Sequence, residues 1–190
     1  MLHATEALHA ILHQPLDYLH PHRGGVPALF EVPAVRALLN QSLLRGLGLS
    51  CPHPQQLKRN PWADLWVAHW RHLPVVARLM GAHLMWPQLA RGARMRELDA
   101  PARAFARIDL GNRPAVAVSE ADGLEQSLSA LGLAALTAWH QHIPEALMQR
   151  LFLQFSPRVV ELQQALPVQA PNSSLFILAV QHARIHQNPC

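Results

Sequence analysis

Cysteine is scarce in this sequence: Cys51 and Cys190 are the only two among 190 residues. Two thiols so far apart exclude a small secreted scaffold held by disulfides. Charge is scarce as well, at 15% against 50% apolar residues, which excludes a disordered polar tail. No run approaches the roughly eighteen uncharged apolar residues that a membrane span requires. The amino-terminal stretch MLHATEALHAILHQPLDYLH has neither a basic leader nor an uninterrupted apolar core, so it does not read as a signal peptide. The expectation is a soluble cytoplasmic protein with free thiols.

Signatures of catalysis are missing too. There is no HExxH, no GxSxG nucleophile elbow and no cysteine pair at metal-ligand spacing. Gly46-Leu47-Gly48 follows a predicted helix and lacks the rest of a dinucleotide fingerprint. Acidic residues are scattered without a paired spacing. The sequence predicts no enzyme and no cofactor.

What is abundant is leucine and alanine, which favour helices over sheet. The 16 prolines fall mostly between periodic segments or at predicted first turns, where a missing N–H costs little. The expected fold is all-α: a single compact, non-repeating domain over residues 1–190, with roughly seven helices, Pro-marked connections and an irregular linker near residues 50–61. Apolar spacing places the first helix over Thr5–His13, with Leu8, Ile11 and Leu12 inward. The second carries a predicted core stripe of Val35, Leu38, Leu39, Ser42 or Leu43, and Leu47. Trp62, Leu65, Trp66, Trp70 and Leu73 follow at helical intervals, then Val76, Ala77, Met80 and Leu84 after Pro74. Gly81 and Ala82 would admit a close helix neighbour. Ser119 is a candidate cap for a helix facing inward through Leu124, Leu128, Leu131, Ala135 and Trp139, and Ala115–Val118 is a candidate short strand. Pro144 opens a segment with Leu147, Met148, Leu151 and Phe155 inward. A last helix, capped by Asn172 or Ser173, packs through Phe176, Ala179, Val180 and Ala183.

Thirteen histidines are many for this length. His9, His13 and Asp17 would share one helical face, an acceptable donor set for zinc or iron. Pro15 interrupts that helix. His182/His186, His69/His72 and His140/His142 have compatible spacings without an obvious third ligand. A polar, histidine-rich surface accounts for them without a metal, and no metal site is assigned.

Charge is unevenly placed. Residues 57–107 hold nine Lys/Arg against three acids, while residues 109–190 hold four Arg against six acids. Arg91, Arg94, Arg96, Arg103 and Arg107 therefore form a candidate surface for an acidic protein partner. The alternative is a basic helical nucleic-acid-binding protein, with the clustered tryptophans stacking bases. Their 3.6-residue periodicity favours core packing instead.

The stretch QPLDYLHPHR, with Pro15, Tyr18, Leu19 and His20 in the pattern P-x-x-Y-L-H, resembles the amino-terminal region of the SctK (YscK/PscK) family of type III secretion systems. Similarity continues through HWRHLPVVARLMGAHLMW (69–86) and GLAALTAWHQHIPEALMQRLFLQFSP (132–157). The resemblance implies a mainly helical, non-catalytic adaptor of the injectisome's cytoplasmic sorting platform. It would link SctQ-type pods to the cytoplasmic domain of the SctD-type inner-membrane ring protein, near the SctL-type stator and SctN-type ATPase. Tyr18 and His20 would be family-motif residues without a catalytic role.

Overall fold

Prolines and small polar caps decide where the helices of this chain begin. The structure is a computed structural model that describes residues 2–25, 32–57, 60–91, 94–111 and 122–187. Pro33, Pro61 and Pro157 each occupy the first position of a helix. Asn60 caps one of these by accepting the Trp62 and Ala63 amides, both at 3.0 Å. Asp99 accepts the Ala102 amide at 2.9 Å and Asn172 the Leu175 amide at 3.0 Å. Each cap satisfies donors that a helix start leaves orphaned.

Ten α-helices and no strand result among the described residues: α1 Leu2–His13, α2 Pro33–Gly46, α3 Pro61–Ala68, α4 Leu73–Leu84, α5 Trp86–Arg91, α6 Ala100–Ala106, α7 Leu124–Thr137, α8 Glu145–Leu151, α9 Pro157–Gln164 and α10 Ser173–Gln187. The all-helical, non-repeating class is the one the sequence predicts. The count exceeds seven because α5, α6 and α9 have only six to eight residues. Such short pieces show no full apolar stripe. The candidate strand at 115–118 and the Ser119 cap lie outside the described residues, and α7 starts from Gly123.

The backbone groups into two compact units, one of residues 1–71 with 140–157, the other of residues 72–139 with 158–190. In the first, α1 packs on α3 and α8. Leu8, Ile11, Leu12, Trp66, Leu147 and Leu151 form its core. The segment expected to be an irregular linker holds a 3-10 turn, Pro54–Gln56, closed by a reciprocal cap between His53 and Gln56. The predicted core stripe of α2 needs correction: Leu38 is 63% and Leu47 51% exposed, and Ser42 is exposed. The buried residue of α2 is Asn40, whose Oδ1 accepts the Leu16 amide at 3.0 Å.

In the second unit α4 is central, packing on α7, α10 and α6. Val76, Ala77, Met80 and Leu84 face inward as predicted, as do Leu128 and Leu131 of α7 and Phe176, Ala179, Val180 and Ala183 of α10. Gly81 and Gly132 explain how closely α4 and α7 approach. A Cβ on Gly81 would overlap the Leu128 backbone, and one on Gly132 the Ala77 backbone. The crossing is therefore backbone on backbone, a geometry only glycine permits at those two points.

Candidate functional site

The motif Pro15–His20 begins where α1 ends. Pro15 turns the chain into the 3-10 helix Pro15–Asp17, so His9, His13 and Asp17 do not continue along one α-helix. Asp17 instead pairs with Arg36 at 2.8 Å and lies 3.8 Å from Arg71. The Tyr18 hydroxyl donates to the Ile11 carbonyl at 2.6 Å, and its ring meets Trp70 edge-on at 5.5 Å. Burial pushes the Tyr18 phenol well above its ordinary range, with Arg150 pulling part of the way back. Leu19 is half-buried. The His20 amide donates to the Leu153 carbonyl at 2.8 Å, and its Nδ1 accepts the His22 amide at 3.1 Å. That cap starts the 3-10 turn Pro21–Arg23, which ends at Gly24 with φ 141°. Burial, then the neighbouring His22 and Arg23, lowers the His20 imidazole from its usual value. Arg23 Nε donates to the Phe155 carbonyl at 2.7 Å. These contacts tie the motif to the chain around residues 153–155; they build no nucleophile–base pair.

Beside the motif stands a residue that sequence reasoning passed over. Arg150 is 0% exposed. Its Nε and Nη2 donate to the Leu12 carbonyl at 3.2 and 2.7 Å, and Nη1 to the carbonyls of Ser50 and Ala146 at 2.8 and 2.9 Å. Nη2 also lies 3.2 Å from Cys51 Sγ. A guanidinium has five N–H donors in a rigid fork, and here each has an acceptor. Its place three residues after Leu147 gave a hint of its direction, because i and i+3 side chains share a helix face, but not of the carbonyls that receive it.

Between α1 and α2 an open cleft of about 490 Å³ is lined by His13, Gln14, Asp17, Arg36 and Asn40 among others. His13 lies against His9 at 4.5 Å between rings, and burial followed by His9 lowers its pKa. His182 and His186 are likewise 4.4 Å apart. Among the described residues no group of three His, Cys, Asp or Glu side chains is placed to hold a metal ion.

The candidate basic surface lies in the second unit, spread over three elements. Arg91 ends α5 and is exposed; Arg94 and Arg96 occupy a 3-10 turn, the first half-buried and the second exposed. Arg107 is exposed at the end of α6. Arg103 is turned to internal use, donating through Nη2 to the Leu98 carbonyl at 2.6 Å and the Arg96 carbonyl at 3.5 Å. Trp66 and Trp70 are buried, so those rings pack the interior and do not stack bases.

Nearby, Arg78 of α4 reaches Glu125 at 2.5 Å and Asp99 at 2.9 Å. These bonds, first of all the one from Glu125, hold its guanidinium pKa above the ordinary value. Desolvation works against the Asp99 anion, yet the Ala102 amide and Arg78 together hold its carboxyl below the usual range.

Residues 8–185 match the family described as bacterial type III secretion apparatus protein (OrgA_MxiK). The oxygen-regulated invasion protein OrgA of Salmonella typhimurium, in strains 14028s and SL1344, is 32% identical over 179 residues, covering 94% of this chain and 87% of the relative. The LT2 protein matches to the same extent. No solved structure matches significantly.

Proposed function

Since the chain belongs to the OrgA/SctK family of type III secretion apparatus proteins, we propose that it is a non-catalytic adaptor linking SctQ-type pods to the cytoplasmic domain of the SctD-type ring protein. The observation that carries this is the extent of the family match, residues 8–185, which takes in both helical units. An adaptor between two assemblies needs two separable surfaces, and the chain offers regions of different character for them. In this reading residues 1–190 act as one domain, because the chain passes between the units three times, after Arg71, Trp139 and Pro157. The SctL- and SctN-type subunits would be reached indirectly. No described helix is long and apolar enough to cross a membrane, so attachment to the inner-membrane face would run through the ring protein.

Arg91, Arg94, Arg96 and Arg107 would steer one of the two partners electrostatically. Complementary charge mainly raises the encounter rate and fixes orientation, while buried apolar anchors carry more of the affinity. Arg103 contributes to this surface mainly by holding the loop through Leu98. Co-purification of the untagged protein from its native host tests the reading: SctQ- and SctD-type proteins should both be retained. Reversing Arg91, Arg94 and Arg96 to Glu together should weaken one interaction and leave helicity and the other interaction intact. Retention of nucleic acid at 150 mM salt in place of platform proteins, with the steep salt dependence of phosphate contacts, would overturn it.

A further inference from the structure

Two pairs of histidines stand one helical turn apart, and they differ in what their rings already do. His182 and His186 on α10 are 4.4 Å apart between ring centres, but His182 Nε2 is held by the Pro101 carbonyl at 3.0 Å. His9 and His13 on α1 are 4.5 Å apart, with their rings tilted by 38°. His9 is exposed and His13 half-buried, and neither imidazole has a hydrogen bond or ion pair among the described residues. His69 and His72 fall in the break between α3 and α4, and His140 and His142 beyond the end of α7, so no α-helix aligns them. Asp17, the third donor that the spacing suggests, is turned to Arg36.

A ligating imidazole nitrogen sits about 2.0–2.1 Å from a first-row metal ion, which puts the ring centre roughly 3.2 Å from that ion. Two rings at adjacent corners of a square or octahedron then have centres about 4.5 Å apart, and at tetrahedral corners about 5.2 Å apart. The separation on α1 is that of the right-angled arrangement. We propose that His9 and His13 form a two-histidine chelate for a divalent late first-row transition ion, octahedral or tetragonal in preference to tetrahedral. Each ring binds as neutral imidazole through a nitrogen lone pair, and water fills the remaining positions. The helix holds the pair together before the ion arrives, because i and i+4 side chains are neighbours. Arg150, close enough to act on His13, opposes the ion and limits its affinity. Once bound, the ion clamps the last turn of α1. The site adds to the adaptor reading and does not depend on it.

Calorimetric titration of the untagged, chelator-stripped protein with NiCl2 tests the site. The parent should show one class of binding tighter than the rest. That class should weaken at least tenfold in His9→Gln and in His13→Gln and persist in His182→Gln. Nickel should also raise the melting temperature of the parent and of His182→Gln while leaving that of His9→Gln unmoved, since an ion bound to the folded state stabilises it. His9 is exposed, so His9→Gln decides the matter even if His13→Gln fails to fold. Undiminished affinity in His9→Gln would overturn the chelate. So would loss of the tightest class in His182→Gln instead, or binding no stronger than that of scattered single imidazoles.

Discussion

Gly132 of α7 lies directly on the carbonyl of Ala77 in α4, with no room for a methyl group between them. The reciprocal glycine, Gly81, faces the Leu128 backbone from α4. Alanine is favoured over glycine in a helix by about 1 kcal/mol, so Gly132→Ala would ordinarily stabilise α7. Here the added carbon meets backbone, which cannot rotate away. The expected result is destabilisation of about 3 kcal/mol or more, with α4 and α7 forced apart. Chemical denaturation measures it, and a rise in stability would contradict the close crossing.

Arg150 supplies a second test. Replacing it with Met keeps volume and helix propensity but leaves the Leu12 and Ser50 carbonyls without their donors. The Leu12 carbonyl, a buried acceptor left orphaned, costs about 1–3 kcal/mol, partly offset by removing a buried charge, while the exposed Ser50 can turn its carbonyl to water. Arg150→Met should therefore lose about 1–3 kcal/mol. Arg150→Lys should recover little, since a point ammonium cannot span acceptors placed for a planar fork. Equal stability of the Lys variant and the parent in urea titration would refute the fork geometry.

Tyr18 is the only tyrosine in the chain, so its ionisation can be followed by absorbance without interference. Burial holds the phenol neutral above its ordinary pKa of about 10. The folded protein should show a delayed phenolate band, and the urea-unfolded chain the ordinary one. The raised pKa means that the contribution is complete below about pH 10. It is lost as pH climbs through the folded value, because the unfolded chain gives up its proton first. Tyr18→Phe should remove the bond to Ile11, cost about 1 kcal/mol and abolish the alkaline band. An ordinary titration in the folded state would place the ring at the surface.

Asp99 serves two ends at once, capping α6 and meeting Arg78. Asp99→Ala should cost about 1–2 kcal/mol through the lost cap. Asp99→Asn, which keeps a side-chain acceptor for Ala102, should cost less. Because its carboxyl is held below the ordinary range, the Asp99 contribution is present above that range and disappears as pH falls through the lowered folded value. Melting temperatures of parent and Asp99→Asn should converge in acid; a gap that stays constant from neutral pH to pH 3 would argue against this.

Helix positions were legible because their signals are local. Asn172, one of the two caps expected for the last helix, marks a start that the structure keeps, whereas Asn60 and Pro61, read as the end of the linker, cap and open α3. The inward leucines of α1, α7 and α8 follow from spacing alone. Arg150 was not legible, since a buried cation depends on carbonyls from Leu12 and Ser50 that are distant in sequence. Leu38 misled for the converse reason: its spacing is that of a core residue, but the inward position of α2 belongs to Asn40, which accepts the Leu16 amide. Arg103 looked like its neighbours and differs because α6 brings its guanidinium to the Leu98 carbonyl.

Leu12 and Arg150 are 138 residues apart, and this separation reaches into how the protein is made. A ribosome adds roughly 5–20 residues per second, so α1 emerges roughly 7–30 s before the guanidinium that occupies its end carbonyl. During that interval α1 and α3 lack the α8 leucines as well as the cation. The amino-terminal unit is therefore finished late, after most of the second unit has been synthesised. Nascent chains stalled before residue 150 should expose an apolar α1 to chaperones and proteases, and a stop codon there would damage the beginning of the molecule more than its end.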